Sequence, residues 1–391
     1  YADDTIVVSD KEADFKNILQ DFGLYCNLWK MKINYTKTKV IVFGAKQSRY
    51  KFTINENEIE IVNDYKYLGV LFSRSGSFLQ CKKHIAEQAN KAMYVLKKRI
   101  NNLDLPLDLQ LKLFDHTILP ILTYACEIWG TGSIDLLENI HSKFLKSITK
   151  CRQSTPRYML YAELGRYPLE ITIKCRILNF WNKIIQSPES KLIHLCYKHM
   201  LQSRKTFKWT ETVKSILNET GYTYLWNNQT LIISKNIGHQ IKRVLLDQYI
   251  QSWQAKLNQS SKGKGYSLFK DNTKFEAYLN ILPNSLRIPM LHFRTGNHRF
   301  LIETGRWRRS SIPFEERRCK FCTLNDKSDE MHYILICPFF KEIRQKYIKS
   351  KFYNRPNVIK YKELLNNTNK QILTNLGYFM KYLINHEIFK T

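Results

Sequence analysis

The chain has 391 residues and a formal net charge of +28, from 62 Lys and Arg against 34 Asp and Glu. This excess is far larger than solubility needs and points to a polyanionic partner. No apolar run reaches the roughly 18 residues of a membrane span, so no membrane partner is expected. Nine Cys, six of them (Cys26, Cys81, Cys126, Cys151, Cys175, Cys196) scattered through apolar helical patterns, exclude a secreted disulfide framework and read as free thiols in a reducing, intracellular compartment.

In chain order, Thr5 to Ser9 reads as a strand behind Tyr1-Ala2-Asp3-Asp4. From Asp10, Phe15, Ile18, Leu19, Phe22, Cys26 and Trp29 recur at helical spacing, with Ser9 or Asp10 as N-cap. Thr38–Phe43, Phe52–Ile54, Ile59–Val62 and Tyr67–Phe72 read as strands, with turn chemistry at Asn55-Glu56-Asn57. Beyond Gly76 the pattern turns helical, with stripes at Ile85, Ala89, Ala92, Leu96, Ile100 and at Ile134, Leu137, Phe144, Ile148. Pro106, Pro120, Pro156 and Pro168 bound or kink these helices, and Ile171–Ile185 forms a further helical segment. Residues 203–282 carry mixed helical patterns without a motif, and Ser260–Gly265 reads as a linker.

Three groups of residues carry chemistry. Asp3 and Asp4, at what reads as a hairpin tip, can bring two carboxylates to a pair of Mg²⁺ ions, as phosphoryl transfer requires; the bland reading is a turn. Cys319-x2-Cys322-x9-His332-x4-Cys337 supplies three thiolates and an imidazole, a closed tetrahedral set suited to structural Zn²⁺. Glu330 can support the His332 ring or be solvated, and His292 or His298 can stand in for a ligand. Upstream, Arg294, Arg299, Arg306, Trp307, Arg308 and Arg309 interleave cations with aromatics, an inventory suited to phosphates and unpaired bases, hence to RNA rather than duplex DNA. Phe293 and Trp307 read equally well as packing.

Several blocks, in order, resemble the reverse transcriptases of non-LTR (LINE, jockey-like) retrotransposons. They are Tyr1-Ala2-Asp3-Asp4, Lys32 to Lys39, Tyr65-Lys66-Tyr67-Leu68-Gly69-Val70, Gly305-Arg306-Trp307, and Glu316-Arg317-Arg318-Cys319 with the three later ligands. The resemblance implies an RNA-directed DNA polymerase in which Asp3 is the principal Mg²⁺ ligand and Asp4 a lesser one. By the same resemblance Tyr1 touches primer or nucleotide, Lys37 stands near the leaving pyrophosphate (Lys39, on the same strand face, being easily confused with it), and Tyr67, Leu68 and Gly69 hold the primer terminus.

The expected fold class is α+β: a partial palm over residues 1–76, a helical thumb and connection over 77–202, a helical region of unknown role over 203–290, a Cys-Cys-His-Cys zinc segment over 291–345 and a helical tail over 346–391. With no initiator Met and no third metal carboxylate, the chain reads as the C-terminal part of a larger polypeptide that binds RNA without copying it. Its expected partners are element RNA, target DNA, dNTPs in the intact enzyme and the missing N-terminal half; its expected location is the nucleus and cytoplasm, as a ribonucleoprotein. The rival reading is a non-catalytic, zinc-stabilised nucleic-acid-binding protein derived from such an element.

Overall fold

A computed structural model describes residues 4–44, 50–101, 103, 105–229, 237–307 and 310–389. Glu12–Leu28 forms the first helix, α1, which buries Leu19 and Cys26. Its spacing of three and four residues sets Phe15, Leu19 and Phe22 on one face, against a core of Val40, Phe52, Ile54 and Ile59. The rings of Phe15 and Phe52 meet edge to face at 5.1 Å. The N-cap is Lys11, without a side-chain cap, while Ser9 Oγ accepts from Lys11 N at 3.3 Å; the cap expected at Ser9 or Asp10 therefore falls later.

The strands are short and antiparallel: β1 (Thr53–Ile54) with β2 (Asn57–Glu58), and β3 (Asp64–Tyr67) with β4 (Val70–Ser73). Asn55 and Glu56 make the first turn with φ of 47° and 66°. The stretch Tyr67–Phe72, expected as one strand, is broken by a second two-residue turn at Leu68 and Gly69, with φ of 45° and 82°. Such a turn needs left-handed backbone at both positions, which glycine adopts without penalty. Val40 and Ile61 meet only in an isolated parallel bridge, so the two strands expected there shrink to a single contact. Thr5–Ser9 forms no strand within the described residues.

Residues 1–88 and 89–391 form two compact units. Leu79–Asn101 is α2, and helices then dominate the described residues to the C-terminal end. None of them is long and apolar enough to cross a membrane. Glu138, on the helix Asp135–Thr149, accepts from the first backbone N–H of the helix Leu169–Ile185, Leu169 N, at 2.8 Å, and also from the Tyr161 hydroxyl. A carboxylate at that helix start satisfies a donor that Pro168 cannot cap.

The larger unit is organised around a buried charge network. Arg294, on the helix Asn284–Arg294, donates from Nε to both carboxylate oxygens of Glu163 at 3.1 and 2.9 Å, and from Nη1 to the Leu365 carbonyl at 3.0 Å. Tyr266 and Tyr278 hydroxyls donate to the same carboxylate at 2.8 and 2.7 Å. Glu276 Oε2 stands 3.3 Å from Arg294 Nη2, and Glu276 also pairs with Lys270, itself 1% exposed. Two acids and two bases thus balance in charge. Burial pushes the Glu163 carboxyl up, but Arg294, Lys270 and the Tyr278 hydroxyl more than reverse this, so it stays below the usual carboxylate range.

The stretch Ser260–Gly265, expected as a linker, is helical over Ser261–Ser267. The Ser260 side chain caps it by accepting from Gly263 N at 2.9 Å. A Cβ at Gly263 would lie 2.3 Å from the Leu257 carbonyl oxygen, so the close approach requires glycine.

Glu163→Gln leaves a buried guanidinium without its main counter-charge and is expected to cost about 3–5 kcal/mol in urea unfolding at neutral pH. Because folding depresses this carboxyl, its stabilisation is complete above the ordinary carboxylate pKa of about 4.3 and is lost as pH falls through the lower folded value. The variant's stability should therefore decline less steeply in acid; a loss below about 1 kcal/mol would contradict the assignment.

Candidate metal centre

The chain near its C-terminal end folds back on itself between Arg317 and Ser328. Cys319 N donates to the Asp326 carbonyl and Ser328 N to that of Arg317, both at 2.8 Å, and Arg318 pairs with Lys327 across the hairpin. Asn325 takes the left-handed turn conformation at φ 52°. This brings Cys319 and Cys322 to one end. Arg317 is buried; it donates to the carbonyls of Ile312 and Ile302, each at 2.9 Å, and so anchors the hairpin rather than facing solvent.

Of the other two candidate ligands, His332 opens a five-residue π-helical turn, His332–Ile336, and Cys337 follows it. Asp329 Oδ1 accepts from His332 N at 2.8 Å, and Cys337 N donates to the His332 carbonyl at 2.7 Å. Arg344, 4% exposed, supplies donors to three carbonyls of this segment: Ile334 at 2.6 Å, Cys337 at 2.7 Å and Tyr333 at 3.3 Å. A π-turn leaves carbonyls misaligned for α-helical bonding. The guanidinium meets that need and fixes the Cys337 backbone.

The four donor atoms lie within 4.8 Å of one another. Cys319 Sγ is 3.9 Å from Cys337 Sγ, and Cys322 Sγ is 3.5 Å from His332 Nε2. Thiolates about 2.3 Å from a central ion stand roughly 3.8 Å apart along a tetrahedral edge, so the spacing fits a divalent cation. Cys319 and Cys337 share a proton between their sulfurs, which holds the Cys319 thiol below its ordinary pKa and pushes that of Cys337 up. His332 Nδ1 is buried without a hydrogen bond, with Asp326 Oδ2 3.4 Å away. A proton on Nδ1, facing that carboxylate, leaves Nε2 free to ligate.

Glu330, weighed as the support of His332, instead accepts from His298 Nε2 at 2.8 Å. His292 faces the Thr149 carbonyl at 3.3 Å. Both histidines are thus held by other partners than the four converging donors. Asp326, Asp329 and Arg344 were missed; acids between Cys322 and His332 offered a weak signal, and Arg344 none.

The basic residues divide. Arg294, read from sequence as a nucleic-acid contact, is corrected by its burial at 2% exposure in the charge network, where its guanidinium also lies 4.7 Å from the Phe269 ring centre. Arg299 is exposed, Arg306 is half-buried and pairs with Glu303 at 3.2 Å, and Trp307 is 70% exposed. Phe293 is fully buried. Arg308 and Arg309 lie outside the described residues.

In the smaller unit, Tyr1 and Asp3 also lie outside the described residues, while Asp4 is exposed. Among the described residues Asp4 joins no group of three or more potential metal ligands. Lys37 sits in a turn, not a strand: its N–H donates to the Asn34 carbonyl at 3.1 Å and its carbonyl accepts from the Tyr65 hydroxyl at 3.0 Å. Lys39 pairs with Glu60 at 2.6 Å. Tyr67, Leu68 and Gly69 form the tip of the β3–β4 hairpin, with Leu68 39% exposed.

Two known proteins align with part of this sequence. A probable RNA-directed DNA polymerase from transposon X-element of Drosophila melanogaster is 27% identical over 181 residues, covering 42% of this chain and 19% of that protein. The RNA-directed DNA polymerase from mobile element jockey of Drosophila funebris is 27% identical over 177 residues, covering 41% of this chain and 18% of its own length. The chain thus spans less than a fifth of these relatives. No family model and no solved structure matches it significantly. In sequence, the chain is similar to the RNA-directed DNA polymerases of jockey-like non-LTR mobile elements.

Proposed function

We propose that this chain is a segment of an RNA-directed DNA polymerase of a non-LTR mobile element, and that its own part is to bind nucleic acid rather than to complete the chemistry. The observation that carries this is the similarity to two polymerases over about two fifths of the chain, joined to a net charge of +28. In this reading residues 1–76 are late palm, 77–202 thumb and connection, and 291–345 a zinc segment. Asp3 and Asp4 would hold Mg²⁺ in a two-metal site, and the ions would supply activation of the primer hydroxyl and charge neutralisation at the leaving pyrophosphate. A third carboxylate for that site has no counterpart beside Asp4 among the described residues. It is expected from another part of the intact enzyme.

Cys319, Cys322, His332 and Cys337 would hold Zn²⁺. Four protein ligands leave no position for water, so the ion would tie the hairpin to the π-turn and take no part in catalysis. Element RNA, target DNA and dNTPs are the partners of the whole enzyme in this account.

Purified chain is expected to contain one Zn²⁺ per molecule by elemental analysis, to lose it to chelator or on Cys319→Ser, and to bind it more weakly as pH falls, because the thiols must shed protons. Metal-free protein that folds identically would refute the site. Single-stranded RNA should bind with an affinity that falls steeply with salt, and primer extension on an RNA template should be undetectable with this chain alone. RNA-templated synthesis by the isolated chain would overturn the division of labour; salt-insensitive or absent RNA binding would overturn the nucleic-acid role.

A further inference from the structure

Beside the Cys-His cluster lies a cleft of about 760 Å³, within the roughly 300–1,000 Å³ common for ligand sites. Arg152, Arg299, Arg318 and Lys320 line it, all exposed, and no carboxylate does so among the described residues. Three separate stretches of chain bring these cations together. Asn297 Oδ1 accepts from Arg152 N at 3.2 Å and from Thr155 Oγ1 at 2.7 Å, which docks the Arg152 loop against the segment carrying Arg299. The buried Arg317 donates to the Ile302 carbonyl at 2.9 Å, so the hairpin bearing Arg318 and Lys320 lies against that same segment.

Concentrating like charge is unfavourable unless a counter-charge arrives. Neither Arg152, Arg318 nor Lys320 has a carboxylate within ion-pair distance among the described residues, although such pairs form elsewhere in the fold, as at Arg166–Asp115, Lys174–Glu219 and Lys351–Glu363. Phe321, half-buried, also lines the cleft and packs on Phe389 at 5.4 Å. Cations around a rigid aromatic wall match a phosphodiester backbone with unstacked bases better than a small anion.

We propose that this cleft is a phosphate-tracking site for single-stranded polynucleotide, with Arg152, Arg299, Arg318 and Lys320 on the backbone and Phe321 against a base. The proposal rests on the nucleic-acid reading above and locates it. Arg318 and Lys320 flank Cys319, so the hairpin that carries the proposed metal ligand also presents two of the four cations.

The test uses the full chain and a short fluorescent single-stranded RNA, titrated at several salt concentrations. The double variant R152Q/R299Q lies away in sequence from the four proposed ligands. It is expected to weaken binding on the order of tenfold or more and to flatten the slope of log affinity against log salt by about 1.4, at about 0.7 per lost phosphate contact on a single strand. K320Q, with metal content checked, should act in the same direction, while K381Q, an exposed cation outside the cleft, should leave affinity nearly unchanged. A folded R152Q/R299Q protein with wild-type affinity and slope would overturn the cleft assignment alone. No RNA binding by the unmodified chain would overturn it together with the proposed function.

Discussion

The Glu163–Arg294 pair is the constraint on which the larger unit depends. A guanidinium at 2% exposure is tolerable only where its charge is balanced, and Arg294 faces Glu163, Glu276, the Leu365 carbonyl and the rings of Phe269 and Tyr278. Those partners come from the helix Arg157–Leu164, from the stretch between Phe269 and Tyr278, and from the end of the helix Val358–Leu365. One side chain therefore sets the register of segments more than a hundred residues apart in sequence. The segment that follows Arg294, with Asn297, His298 and Arg299, inherits its position from that anchor.

The same device recurs twice nearer the candidate metal centre. Arg317 and Arg344 are both buried, and both spend their donors on backbone carbonyls that regular structure leaves open. Arg317 seats the hairpin that carries Cys319 and Cys322, and Arg344 seats the turn that carries His332 and Cys337. A cation between them would bond two preformed pieces, which limits the ordering cost of binding. In a chain this rich in Arg and Lys, a share of the positive charge therefore works inside the fold, and four of the exposed cations line the cleft.

What the sequence made legible followed from short-range spacing. The Cys-x2-Cys and His-x4-Cys intervals anticipated four donors that stand within 4.8 Å of one another, and the periodicity of Phe15, Leu19, Phe22 and Cys26 anticipated α1. Long-range pairing was hidden. Arg294 sits among aromatics and basic residues in sequence, which resembles a binding surface, yet its partner Glu163 lies 131 residues away. Tyr67–Phe72 has the composition of one strand, and only the left-handed demand at Leu68 and Gly69 turns it into a hairpin. Ser260–Gly265 has the composition of a linker, but Ser260 acts as a cap. Glu330 sits close to His332 in the chain, and the fold gives it to His298 instead.

The proposed nucleic-acid-binding role of this polymerase-like sequence depends on a C-terminal architecture that a bound metal would lock. X-ray absorption at the zinc edge of the purified chain tests that lock most directly. The account requires three sulfur neighbours at about 2.3 Å and one nitrogen at about 2.0–2.1 Å. A shell dominated by oxygen, or one with fewer than three sulfurs, would contradict it.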